Sequence, residues 1–187
     1  MMKISVLLLL AMVALPIDAN RSRRKKWKIT FYNIAYNQPF SPILLSIHNR
    51  RAEPYFMSGE MASNGTALMA ETGGTDLLQQ EIEADAANVK EVLTANGPLF
   101  RGVGNVVEFE VDFDKRFRFF SFGTMAINTN DCFVGATRVR LTSGLRLTVP
   151  GYDAGSEENN ELCSSMPGPA CADIDTTNER SGNGEGA

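Results

Sequence analysis

A chain of 187 residues with 43% apolar residues and a formal net charge of −4 is long enough to bury a core without metal or disulfide support. The charge is unevenly placed: Arg21 to Lys28 holds six basic residues and no acid, which leaves the rest distinctly acidic. A nucleic-acid binder should spread its basic residues over a folded face, so that class is set aside.

Lys3, the apolar run Ile4 to Val13 and a small-residue region ending at Ala19 read as a signal peptide over residues 1–19. The run is too short for a membrane span, which needs about 20 apolar residues. A basic tail over 20–28 follows, read first as a solvated, disordered segment, with a processing site or a patch for anionic polysaccharide as the alternatives. Trp27 to Tyr36 then alternates as a strand, with Trp27, Ile29, Phe31 and Asn33 on one side. Phe40 to Ile47 is a second apolar run, interrupted by Pro42 and closed by His48, the chain's one histidine. That single imidazole excludes mechanisms that need two, and its place at a strand end predicts a hydrogen-bonded structural role.

Ala67 to Glu71 predicts a short helix stopped by Gly73-Gly74, and Thr75-Asp76 caps a second helix running through Ile82. Asn88 to Leu93 is a weaker strand pattern. In Val106 to Phe113, Val107, Phe109, Val111 and Phe113 alternate with Glu108, Glu110, Asp112 and the following Asp114, the pattern of a half-buried antiparallel strand. Arg116 to Phe122 carries the opposite charge, which predicts a hairpin between the two. Phe133 to Leu141 and Leu145 to Val149 predict another around Thr142-Ser143-Gly144. Short strands with Gly turns and few helices give an all-β fold: an antiparallel β-sandwich with one or two short helices inserted.

After Pro150 the chain turns acidic and rich in Gly, Asn, Ser and Pro. In an exported chain, Cys163 and Cys171, flanking Met166-Pro167-Gly168-Pro169, are expected to form a disulfide worth about 2.5 kcal/mol. Cys132, next to Asp131, reads as a buried thiol rather than a nucleophile, because an adjacent carboxylate raises a thiol pKa. The chain has no Gly-x-Ser-x-Gly elbow, no His-Glu-x-x-His and no phosphate-binding Gly-Lys-Ser/Thr loop. Asp153 and Glu157 flank Ala154-Gly155, and Asn130-Asp131 interrupts an earlier apolar run. Acids in Gly-containing turns at strand ends suit an all-oxygen calcium site built on Asp131, Asp153 and Glu157, with Asn130 and Asn159 offering further oxygens.

Several blocks in order resemble the spondin N-terminal domain family. They are Asn37-Gln38-Pro39-Phe40-Ser41-Pro42 with His48, Gly59 with Ala62-Ser63, Ala70-Glu71-Thr72-Gly73, Thr129 to Gly135, Tyr152 to Glu157, and Pro167-Gly168-Pro169. The resemblance covers the chain from about Trp27 onward. It implies a sandwich similar to the calcium-dependent lipid-binding domains of protein kinase C, over residues 29–176, with 177–187 a disordered or truncated end. It also implies secretion, calcium at Asp131, Asp153 and Glu157, and a non-catalytic role in extracellular matrix adhesion or protein interaction. The partner would be an extracellular protein or matrix component, with anionic polysaccharide on the basic tail and no nucleic acid. The competing expectation is a secreted hydrolase using loop carboxylates.

Overall fold

The computed structural model describes residues 25–102, 105–159 and 166. The signal segment, residues 20–24 of the basic tail, Cys163 with Cys171, and residues 177–187 lie outside the described residues. The described chain forms β1 (Lys26–Tyr32), β2 (Leu44–His48), α1 (Asn64–Thr72), α2 (Asp76–Glu83), β3 (Val89–Thr94), β4 (Val106–Asp112), β5 (Phe119–Met125), β6 (Cys132–Arg140) and β7 (Gly151–Asp153). Five strands make one antiparallel sheet in the order β3-β2-β5-β6-β7, and β1 pairs with β4 in a second sheet. The expected all-β sandwich with two short helices is what the chain adopts.

The core between the sheets joins Ile29, Phe31, Phe109 and Val111 of the small sheet to Leu45, Ile47, Phe120, Phe122 and Val134 of the large one. Phe31 meets Phe109 edge-on at 5.8 Å and Phe122 at 4.9 Å, so one ring links both strands of its sheet to the opposite layer. The other face of the large sheet is also covered. Leu44 and Phe133 pack there with Met69 and Ala70 of α1, Leu78 of α2, Tyr55 and Ala154. Hence β2 is buried at all five positions, and its alternate residues serve two different cores.

The helices obey their local signals. Ser63 caps α1 by accepting from Thr66 N, and Gly73 ends it at φ 73°, a left-handed conformation that glycine adopts without a Cβ penalty. Thr75 stands at the N-cap of α2 without its side chain bonding there, so Asp76 in the first turn is left to complement the helix dipole.

Two strand pairings differ from expectation. The acidic face of β4 meets β1, not the following segment: Lys28 pairs with Glu108 at 2.7 Å and Lys26 with Glu110 at 3.2 Å. Exposed ion pairs are each worth about 0–1 kcal/mol, too little to choose a partner strand. The sequence Phe119-Phe120-Ser121-Phe122-Gly123-Thr124-Met125 is instead buried almost throughout, which suits a central strand between β2 and β6. Leu145 to Val149 is no strand either; the strand that pairs with β6 on that edge is β7, opposite Cys132 to Val134. The apolar residues of Leu145 to Val149 cover the sandwich core as extended chain.

The family-like block around Asn37 to Pro42 stitches the sheet ends together. Asn33 donates to Gln38 O and Leu99 O, Gln38 donates to Ile127 O, and Ser41 N donates to Met125 O. His48 has the structural role expected of it. One ring nitrogen lies 2.8 Å from Asn49 O and the other 2.8 Å from Ser121 Oγ. Burial, helped by Arg138, holds its pKa below the ordinary 6.5.

A lowered histidine pKa means the unfolded chain takes up the proton first, so stability from neutral His48 is full above pH 6.5 and falls as pH drops through the folded value. Urea titrations across that window should show the loss in the wild type and a smaller one in His48→Gln. A second expectation concerns Gly135, where an added Cβ would meet Phe122 O at 2.7 Å and Phe56 at 3.0 Å. Gly135→Ala should lose about 1–3 kcal/mol by overpacking. Gly97→Ala, whose Cβ would meet nothing within 4 Å, should change stability by less than about 0.5 kcal/mol.

Candidate functional site

The site lies where β6 begins beside β7. A tight loop links β5 to β6: Ala126 N donates to Cys132 O, Thr129 Oγ1 to Ala126 O, and Cys132 N to Thr129 Oγ1. Strand β7 is only three residues long and is anchored by aromatic packing. Tyr152 lies 4.6 Å from Phe56 and 5.6 Å from Phe133, ring centre to ring centre. That anchor sets the register Cys132↔Asp153, which places Asp153 beside the end of β6 that carries Asp131.

Asp131 is 1% exposed and organises the loop after β7. Its Oδ2 accepts Ser156 N at 2.8 Å and Glu157 N at 3.1 Å, while its own carbonyl accepts Ala154 N. Gly155 turns the chain at φ 68° and donates to Asp153 Oδ1 at 2.7 Å. Asn159 donates to Asp153 Oδ2, and Asn130 donates to Glu158 O and Asn159 Oδ1. The loop is thus wound around two carboxylates by their own hydrogen bonds.

Of the three expected ligands, Asp131 and Asp153 come together, and Glu157 joins them through its backbone N–H. Asn130 and Asn159, named from sequence as extra oxygen donors, are in the same cluster. Among the described residues, no three acid, histidine or cysteine side chains stand close enough to hold a metal ion.

The electrostatics are those of an uncompensated acidic pair. Burial raises the pKa of Asp131, the two backbone N–H bonds oppose that rise, and Asp153 adds to it. The ion pairs among the described residues involve Lys26, Lys28 and Lys90, and none reaches Asp131 or Asp153. Cys132 next door is half-buried and free, with its thiol pushed up to about 11 by burial first and then by the two carboxylates. The sequence predicts a buried thiol raised by an adjacent carboxylate; the thiol is half-buried, and the raising by Asp131 is present.

The donor set fits a hard divalent cation in kind. It is all oxygen, Asp131 Oδ1 and Asn130 Oδ1 accept no hydrogen bond among the described residues, and no lysine or arginine pairs with Asp131 or Asp153 among them. It fits calcium's usual six to eight ligands only with backbone oxygens or water added to the carboxylates.

These features define a two-sheet β-sandwich module with an acidic strand-end loop. The family model described as Spondin_N matches residues 23–165, and the chain belongs to the spondin N-terminal domain family. No curated protein matches the chain. Family membership points to an extracellular, matrix-related module. No helix among the described residues is long and apolar enough to cross a membrane.

With its thiol raised to about 11, Cys132 should alkylate at pH 8 roughly a hundredfold more slowly in the folded protein than in urea. Peptide-resolved mass spectrometry separates it from Cys163 and Cys171. Asp131→Asn with Asp153→Asn should speed the folded-state reaction, because two of the three causes of the shift are removed.

Proposed function

We propose that the protein is a secreted, calcium-binding interaction module of the extracellular matrix, with no catalytic activity. The observation that carries the calcium reading is the buried Asp131 carboxylate beside Asp153, with no lysine or arginine paired to either among the described residues. Asp131, Asp153 and Glu157 would hold the ion, which supplies charge neutralisation when bound. The residues themselves do the rest. Asp131 fixes the loop through Ser156 N and Glu157 N, and Asp153 fixes its turn through Gly155 N. A cation there would remove the repulsion that this arrangement otherwise leaves, so the loop would be stiffened for recognition.

Support for a non-catalytic role comes from the same atoms. Asp131 is closed off from solvent and its Oδ2 is held by two backbone donors, whereas a general acid or base must reach its substrate. A cleft of about 170 Å³ between β2 and α2 is lined in part by His48, but both of its ring nitrogens are engaged by the protein.

Calcium titration by calorimetry and thermal melting, on the wild type and on Asp153→Asn, tests the reading. Saturating calcium at a hundred times Kd should stabilise the wild type by about 2.7 kcal/mol. Asp153→Asn should lose both the heat and the shift. Calcium should also lower the Cys132 thiol pKa, since a neighbouring cation favours the thiolate. A folded wild type with no heat and no shift would sink the metal site, and hydrolase assays on the protein would then test the carboxylate alternative.

A further inference from the structure

The end of the large sheet opposite the acidic loop carries arginines from three adjacent strands. Arg50 and Arg51 follow β2, Arg116 and Arg118 precede β5, and Arg138 and Arg140 close β6. The ladder places them together: His48 pairs with Phe119, Phe119 pairs with Arg140, and Leu141 N donates to Arg118 O. At about 4.8 Å between strands, the three chain ends span about 10 Å. All six arginines are exposed.

They are also unneutralised. The ion pairs among the described residues use Lys26, Lys28 and Lys90, and none uses these arginines. Glu53, Asp85 and Asp114 lie on neighbouring loops, yet none reaches an arginine within ion-pair distance among the described residues. Asp114 instead accepts Arg116 N at 2.8 Å, and Asp85 is bonded to Asn88.

Several of these residues are held in place. Arg138 sits in the irregular register of β6 opposite Ser121, at φ 54°, a conformation uncommon for a residue with a Cβ. Its backbone N–H donates to Ser121 Oγ at 2.9 Å and its Nε to Ala52 O at 2.9 Å. The Arg116 guanidinium lies 5.1 Å above the Phe117 ring, and Arg51 N is bonded to Asn49 Oδ1. Local strain held by specific bonds at an exposed cation is a functional pointer.

We propose that this arginine-bearing end of the sandwich binds a linear sulfated polysaccharide. Six guanidinium groups offer planar, two-pronged hydrogen bonding to sulfate and carboxylate groups, which an ammonium does not match. The choice of polysaccharide over nucleic acid rests on the extracellular reading above. Lys26 and Lys28 of β1 pair with Glu110 and Glu108, so they are not counted among these cations. The surface does not depend on calcium, since Asp131 stands at the other end of β6.

The test is binding of a size-defined heparin octasaccharide to the full chain, by fluorescence anisotropy in chelator over a range of salt. Wild type should bind, and affinity should fall steeply as salt rises. Arg118→Gln with Arg140→Gln should weaken binding about tenfold or more, and should lower the slope of log affinity against log salt by about two. Unchanged thermal melting would show that the fold is intact. Lys26→Gln with Lys28→Gln should bind as wild type. Three results would overturn the proposal: no binding by wild type, equal binding by the arginine variant, or loss confined to the lysine variant. Tighter binding to phosphatidylserine vesicles or to a single-stranded oligonucleotide under the same conditions would also count against it. Because chelator is present throughout, failure of the calcium site leaves this result intact.

Discussion

The fold depends on a central sheet that is apolar on both faces. Strands β2 and β5 are buried almost completely, so each face needs its own cover. The β1–β4 sheet covers one, and the helical segment between β2 and β3 covers the other. Close approach follows from that demand. A Cβ at Gly123 would meet Met69 Sδ at 2.9 Å, and one at Gly65 would meet the α2 backbone at 2.6 Å. At Gly65, where the neighbour is backbone, glycine is therefore a packing requirement, whereas at Gly123 the flexible end of Met69 could give way. Aliphatic and aromatic burial at about 25 cal/mol per Å² outweighs any choice that surface charge pairs make.

The same sheet sorts charge to its two ends. Antiparallel order brings the start of β6 and the end of β7 together at one end, where Asp131 and Asp153 meet. The end of β6, the start of β5 and the end of β2 meet at the other, where the arginines gather. The modest net charge of the whole chain conceals this separation. Each end keeps a like-charged cluster because no described residue of opposite sign pairs with it. Such clusters cost stability unless a ligand compensates them, so both ends are natural places for binding.

Much of this was legible in the sequence. Alternation located β1 and β4, and Gly73 located the end of α1. The ordered blocks identified the family, and the acids of the two strand-end turns named the acidic site. The partner of β4 was not legible. Its acids match Lys26 and Lys28 as well as Arg116 and Arg118 in sign, and charge acts over too short a range to reveal which strand lies alongside. The arginine end was equally hidden, because its members are spread from Arg50 to Arg140 and no local window contains them all.

The sequence by itself determined where both helices and most strands form, Leu145 to Val149 and β7 excepted, because periodicity and turn chemistry are local properties of a few consecutive residues. It also determined the presence of acids in the loops beside β6 and β7. Only the tertiary structure decided that Asp131 is buried, that Glu157 serves it through a backbone N–H, and that Asp153 stands beside it. Those outcomes follow from strand pairing and from the packing of Tyr152 on Phe56 and Phe133, contacts between residues far apart in the chain. Burial and register depend on the whole set of such contacts, so no stretch of sequence specifies them alone.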